Sequence, residues 1–202
     1  MKRRHSLLMG LILCLTASAT AIAAPPPVRL RGTIEDVSTA SLTIAARDGS
    51  HPVVAIDPST SINTLVRADL ADIKSGDFIG TAAMPGNGNE LRAMEVVIFP
   101  EAARGTGEGH YDWDLAPGSS MTNATVQAAV QGVDGRSLKL AYKGGETTVN
   151  VPPGVPIVRP VPASTADLVA GAAVFVVAER SAEGAFKARR IVVEKGGVVP
   201  PM

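Results

Sequence analysis

The stretch Thr33-Ile-Glu-Asp-Val37, followed by Ser41-Leu-Thr-Ile44, is written a second time as Ala129-Val-Gln-Gly-Val133, followed by Ser137-Leu-Lys-Leu140. Val37 matches Val133, Ser41 matches Ser137 and Leu42 matches Leu138. The match extends outward through Gly49 with Gly145 and Val53 with Val149. After a one-residue slip it resumes with Pro58 and Pro153, Ile62 and Ile157, and Val66 and Val161. Ala71-Asp-Ile73 then matches Ala166-Asp-Leu168, Gly76 matches Gly171, and Ala83, Ala93 and Val97 match Ala178, Ala188 and Val192. Residues 32–98 and 128–193 therefore read as one module present twice. A duplicated module is usually a scaffold, so chemistry is better sought where the repeat breaks.

Within each module the apolar residues alternate. Leu30, Gly32 and Ile34 fall on one strand face, and Arg31, Thr33 and Glu35 on the other. Val174 and Val176 oppose Phe175 and Val177 in the same way, and Ile191 and Val193 repeat the pattern. A period of two with β-branched residues predicts half-buried strands. Turn signals separate the runs, at Arg47-Asp-Gly49, Asp57-Pro58, Lys74-Ser-Gly76, Pro85-Gly-Asn-Gly88, Asp134-Gly135, Lys143-Gly-Gly145 and Glu183-Gly184. One-turn helical pieces are expected at Ala68–Ile73 and Thr165–Leu168, with Asp72 and Asp167 in turn or capping roles. The expected fold is all-β: two tandem small OB-like β-barrels of about six strands each, formed by internal duplication. Closure into barrels would remove exposed strand edges. A single sandwich with one sheet per copy is the alternative.

The N-terminus reads as an export signal. Lys2, Arg3 and Arg4 precede an apolar run from Leu7 to Leu15, and Ala21-Ile22-Ala23 is a small-x-small cleavage site. A retained membrane anchor fits less well because the run is short and becomes rich in Ala, Ser and Thr. Lipidation of Cys14 fits less well because Leu13 stands where a small residue belongs. Cleavage after Ala23 leaves 179 residues, removes three of 19 basic residues and none of 19 acidic ones, and so gives a net charge of −3. It also removes the sole cysteine, leaving no disulfide, thiolate ligand or cysteine nucleophile. A module of about 65 residues is marginal alone, so the copies are expected to pack on each other or on a partner. The boundaries expected are a signal at 1–23, a first module at 24–98, an ordered Gly-rich linker at 99–124, a second module at 125–195 and a tail at 196–202.

The linker holds what the modules lack. Gly105, Gly107 and Gly109 alternate with Thr106 and Glu108, and His110-Tyr-Asp-Trp-Asp114 follows. In an extended chain Glu108, His110, Asp112 and Asp114 point one way and Tyr111 and Trp113 the other. One imidazole with several carboxylates suits a divalent ion such as Zn²⁺ or Mn²⁺, although spacing at every second residue needs a fold-back to converge. The competing expectation is that Trp113 and Tyr111 plug the seam between the barrels while the acids and His110 face water. A nucleotide loop is disfavoured: Tyr-Asp-Trp-Asp-Leu-Ala-Pro is a poor helix start and no Lys-Ser/Thr pair follows. The glycines are expected to take positive φ or to let the chain pass close to a barrel.

Other chemistry finds little support. There is no Gly-x-Ser-x-Gly elbow, and no serine has a strand-turn-helix setting. His51, whose counterpart near Thr147 is not histidine, reads as a surface residue. Asn123-Ala-Thr125 matches a glycosylation acceptor by spelling alone. The charge of −3 and the absence of a basic stripe disfavour nucleic acid.

Phe99-Pro-Glu-Ala-Ala-Arg-Gly-Thr-Gly-Glu-Gly-His110, Trp113-Asp-Leu115, Ser120-Met-Thr-Asn-Ala-Thr125 and the closing Gly197-Val-Val-Pro-Pro-Met202 carry a resemblance. The chain resembles exported bacterial proteins built from small duplicated β domains of unknown function, often labelled metal transporter permease components. The resemblance implies a periplasmic β protein and supplies no activity and no site residues. A permease is not expected, because no apolar run after the signal is long enough to span a bilayer. The expectation is a periplasmic or secreted, non-catalytic binding or scaffold module with a protein or small-ligand partner, no nucleic acid and no resident cofactor. The alternative is a metal-binding accessory using Glu108, His110, Asp112 and Asp114.

Overall fold

The computed structural model describes residues 26–132 and 135–201. The expected export segment, residues 1–23, lies outside the described residues, as do Val133 and Asp134 of the expected hairpin turn and Met202 of the tail. Among the described residues the chain is all-β, with helix confined to one-turn segments. The strands of the first half are β1 (Val28–Val37), β2 (Ser41–Ala46), β3 (Val53–Ala55), β4 (Ser61–Arg67), β5 (Phe78–Pro85), β6 (Leu91–Ala93) and β7 (Val96–Ile98). β8 (Gly109–Asp112) follows in the linker. The second half holds β9 (Ser120–Gly132), β10 (Gly135–Tyr142), β11 (Gly145–Asn150), β12 (Ile157–Pro162), β13 (Ala173–Arg180) and β14 (Phe186–Val193).

Strand pairing closes a five-stranded barrel from β1, β2, β3, β14 and β13. A second closed circuit runs through β9, β10, β11, β6 and β5. Each closure takes three strands from one half of the chain and two from the other. One barrel per sequence module, as expected above, is therefore not the pairing observed, and neither is one sheet per module. The cause lies in β4 and β12. Neither strand folds back onto its own hairpin. They pair with each other, antiparallel, with Leu65 opposite Pro160. β14 then runs parallel to β4, and β7 parallel to β12. The crossing strands thus deliver the C-terminal strands of each half to the N-terminal strands of the other.

The alternating pattern decides which residues fill which space. Leu30, Ile34, Leu42, Ile44, Val176 and Ile191 are buried inside the first barrel. Ile79, Val96, Val126, Leu138, Leu140 and Val149 fill the second. The opposite strand faces meet between the barrels, where Leu65, Val97, Val158, Phe175 and Val192 form a third buried cluster. Phe175 and Val176, adjacent in sequence, thus belong to different cores because successive side chains point to opposite faces.

The one-turn segments plug barrel ends. Leu70 and Ile73 enter the second barrel and Leu168 the first. The Asp72 carboxylate accepts the Asp69 N–H at 2.9 Å, and the Asp167 carboxylate accepts the Ser164 N–H at 2.9 Å. Both aspartates therefore hold turns, as their sequence context suggested. The register moves one part of the sequence match. Both first hairpins carry a bulge, which skips from Ile34 to Asp36 on β1 and from Val126 to Ala128 on β9. Val126 faces Leu140 as Ile34 faces Ile44, whereas the sequence match pairs Ile34 with Val130.

Candidate functional site

The linker leaves β7 at Phe99, makes a one-turn segment at Glu101–Ala103 and passes through Gly105, Gly107 and Gly109, all at positive φ. At Gly107 the reason is also steric. A Cβ there would lie 3.1 Å from Asn123 Nδ2 and 3.2 Å from the Tyr111 hydroxyl. β8 then lies along β9, with Gly109 opposite Asn123, His110 opposite Thr122 and Tyr111 opposite Met121.

The four sequence-predicted ligands do not come together. Glu108 Oε1 accepts the Lys143 backbone N–H at 3.1 Å, on the β10–β11 hairpin. His110 Nδ1 lies 2.8 Å from Thr122 Oγ1, and its ring stacks on Tyr142 with centroids 6.1 Å apart. Asp112 is exposed. Asp114 turns the other way, to Arg31 at 2.7 Å and Arg29 at 3.6 Å on β1. Two ligand candidates are thus bound to one barrel and a third to the other. Among the described residues no group of three or more His, Cys, Asp or Glu side chains is placed to hold a metal ion. Burial pushes the Asp114 carboxyl up, but the Arg31 hydrogen bond and the charges of Arg31 and Arg29 outweigh it and hold Asp114 below the ordinary range.

Trp113 occupies the seam that the alternation assigned to it. It packs against the inter-barrel cluster of Leu65, Val97, Phe175 and Val192. The Arg29 guanidinium lies 4.0 Å over its ring, and Tyr111 meets it edge-on at 6.2 Å. Arg31 sits 5.0 Å over Phe175. Ser119 fixes the loop beyond: its carbonyl accepts the Trp113 N–H at 2.8 Å, and its hydroxyl accepts the Ala116 N–H at 3.1 Å.

Beside Trp113 lies a cleft of about 160 Å³, walled by Phe99, Tyr111, Met121 and Val177. A second cavity of about 170 Å³ adjoins it, sharing walls at Val97, Phe99 and Arg190. Asn123, only 7% exposed, forms part of the wall. Its Nδ2 donates to the Thr106 carbonyl at 3.1 Å and lies 3.3 Å from the Tyr111 hydroxyl, which directs Oδ1 elsewhere. That Oδ1 is buried without a partner, and so is Trp113 Nε1. Gly80 makes room for this arrangement, since a Cβ there would stand 2.6 Å from Asn123 Oδ1 and 2.9 Å from the Phe99 ring. The cleft carries positive charge. Arg29 and Arg190 line it, and no acidic residue lines either cavity. Burial lowers the Arg190 pKa. It raises that of Tyr111, against the pull of Arg29 and Arg190, and so keeps the phenol neutral.

The arginines, Asn123 and Phe99 escaped sequence reasoning, and so did Glu95. Glu95 is 0% exposed, with both carboxylate oxygens unpartnered. Burial pushes its carboxyl up to about 8, against the opposing charge of Arg31. A signal was present: Ala93 matches Ala188 and Val97 matches Val192, so Glu95 falls opposite Arg190 in the repeat. Glu95, between β6 and β7, and Arg190, in β14, thus stand at matching sequence positions with opposite charges. A shallower groove of about 200 Å³ near Arg31, Arg47 and Asp48 competes for notice. There Asp114 already satisfies Arg31, and Ser50 bonds Asp48. Comparison of the chain with protein-family models, curated proteins and solved structures returned no match.

Proposed function

We propose that this chain is an exported, non-catalytic binding module. Its two halves are copies of one β module that exchange their C-terminal strands, and its ligand seat is the cleft between Trp113, Asn123 and Arg190. One observation carries the reading. The half-buried guanidinium of Arg190, without an ion pair among the described residues, lines a cleft walled by Phe99, Tyr111, Met121 and Val177. A concave, mostly apolar pocket with a few convergent polar groups is the usual form of a small-molecule site. The matching bulges, the paired aspartate turns and the antiparallel β4–β12 crossing support duplication with exchange. The export reading rests on residues 1–23.

Binding is favoured over catalysis by the chemistry of the two histidines beyond that segment. His110 contacts the hydroxyl of Thr122, which is fully buried and closed to a substrate. His51 contacts Glu35 at 2.8 Å on the open surface. The metal-accessory alternative loses its basis because Asp114 belongs to Arg31. The test is two-dimensional amide NMR of the mature protein titrated with a mixture of small organic fragments. Shifts gathered at Phe99, Tyr111, the Trp113 indole, Asn123 and Arg190 are expected. Shifts confined to the Arg31–Arg47 groove would contradict the assignment.

A further inference from the structure

We infer that the cleft selects a small organic carboxylate with an apolar body. This rests on the cleft being the ligand seat and names what it takes. The charge argument comes first. Arg29 is already engaged, by Asp114 at 3.6 Å and by the Trp113 face at 4.0 Å. Arg190 lines both cavities and forms no ion pair among the described residues. Its one charge-bearing neighbour is the Tyr111 phenol, which is neutral. A half-buried guanidinium without a counter-ion is costly, and a planar carboxylate matches its fork of N–H donors. The guanidinium of Arg190 thus stands open to one carboxylate.

The remaining walls define the rest of the ligand. Asn123 Oδ1 and Trp113 Nε1 are buried out of the ligand's reach. Phe99 and Val97 wall both cavities and Val192 the second, and they offer an apolar body a hydrophobic face beside Arg190. The free guanidinium and the apolar wall thus describe a carboxylate with an aryl or alkyl tail.

Trp113 is the chain's only tryptophan, so its fluorescence reports the cleft directly. The mature protein is titrated with 3-phenyllactate, with 3-phenylpropionate, which lacks the hydroxyl, with 3-phenyllactamide, which lacks the charge, and with inorganic phosphate. Saturable change is expected with both 3-phenyllactate and 3-phenylpropionate. A loss of about tenfold or more is expected for the amide, and for 3-phenyllactate with Arg190→Gln, as for a hydrogen-bonded charge. An amide that binds as tightly as the acid would overturn the carboxylate assignment and leave the cleft as the seat of a neutral ligand. Phosphate saturating in place of the acids would reduce the site to a general anion site and overturn the inference. No saturable change with any probe up to about 10 mM, on the order of 3 kcal/mol of affinity, would also overturn it. Fragment shifts in the cleft alongside that result would spare the ligand seat, and their absence would sink both. The amide comparison uses unaltered protein, so the assignment stays testable if Arg190→Gln does not fold.

Discussion

Leu65 lies opposite Pro160 at the centre of the β4–β12 pair, where the chain crosses between the two closed circuits. Under the proposed duplication these two residues would be counterparts, and their pairing would mark an approximate twofold axis between the halves. Each closure takes strands from both halves, so the halves are interlocked. Cleavage of the exposed loop at Gly105–Glu108 should leave two fragments that co-elute and unfold together, because each closure needs strands from both. Size-exclusion chromatography after limited proteolysis checks this. Two separately folded halves released without denaturant would show that the exchange is wrong.

Glu95 gives stability a pH dependence of defined sign. Burial raises its carboxyl to about 8 in the folded protein, whereas 4.5 is the ordinary value. The neutral group's contribution is therefore complete below about 4.5 and is lost as pH rises through about 8. The loss should be on the order of 2–4 kcal/mol between pH 5 and pH 9. Glu95→Gln should flatten that part of the profile and leave the mutant the more stable protein at pH 9. Urea unfolding across pH measures both, and parallel profiles for mutant and wild type would refute the buried, neutral carboxyl.

Trp113 and His110 sit three residues apart and should behave differently. Trp113→Ala removes the ring that fills the inter-barrel seam and supports Arg29, and should cost about 2–4 kcal/mol. His110→Ala removes one exposed contact to Thr122 and should cost less than about 1 kcal/mol. Denaturant midpoints distinguish them, and equal losses would remove the structural role assigned to the tryptophan.

Gly80→Ala should be destabilising by roughly 1–3 kcal/mol, since the added methyl meets Asn123 Oδ1 and the Phe99 ring at less than contact distance. It should also narrow the cleft and weaken 3-phenyllactate. An alanine variant with unchanged stability and binding would mean that the Asn123 amide is not held where the cleft requires it.

The strand faces were legible in the sequence, and the partners of the strands were not. Alternation placed Leu30 and Ile34 inward and Phe175 outward, because side-chain direction is local. It could not show that β1 pairs with β13 rather than with its own module's β5, because both partners offer the same pattern and only the crossing of β4 with β12 decides. The linker was legible as the place where the repeat breaks, and Trp113 as its buried residue. The four-residue ligand set failed for an electrostatic reason. Arg29 and Arg31, on the outward face of β1, capture Asp114 and draw it away from Glu108 and His110. Arg190 was given no role by the sequence, and packing between the barrels makes it half-buried.

A crystal structure of the mature protein grown with 3-phenyllactate tests the central claim most directly. The account predicts the carboxylate within about 3.2 Å of the Arg190 guanidinium nitrogens and the ring beside Phe99. Ordered water alone on Arg190 in an otherwise empty cleft, with the ligand elsewhere or absent, would contradict it.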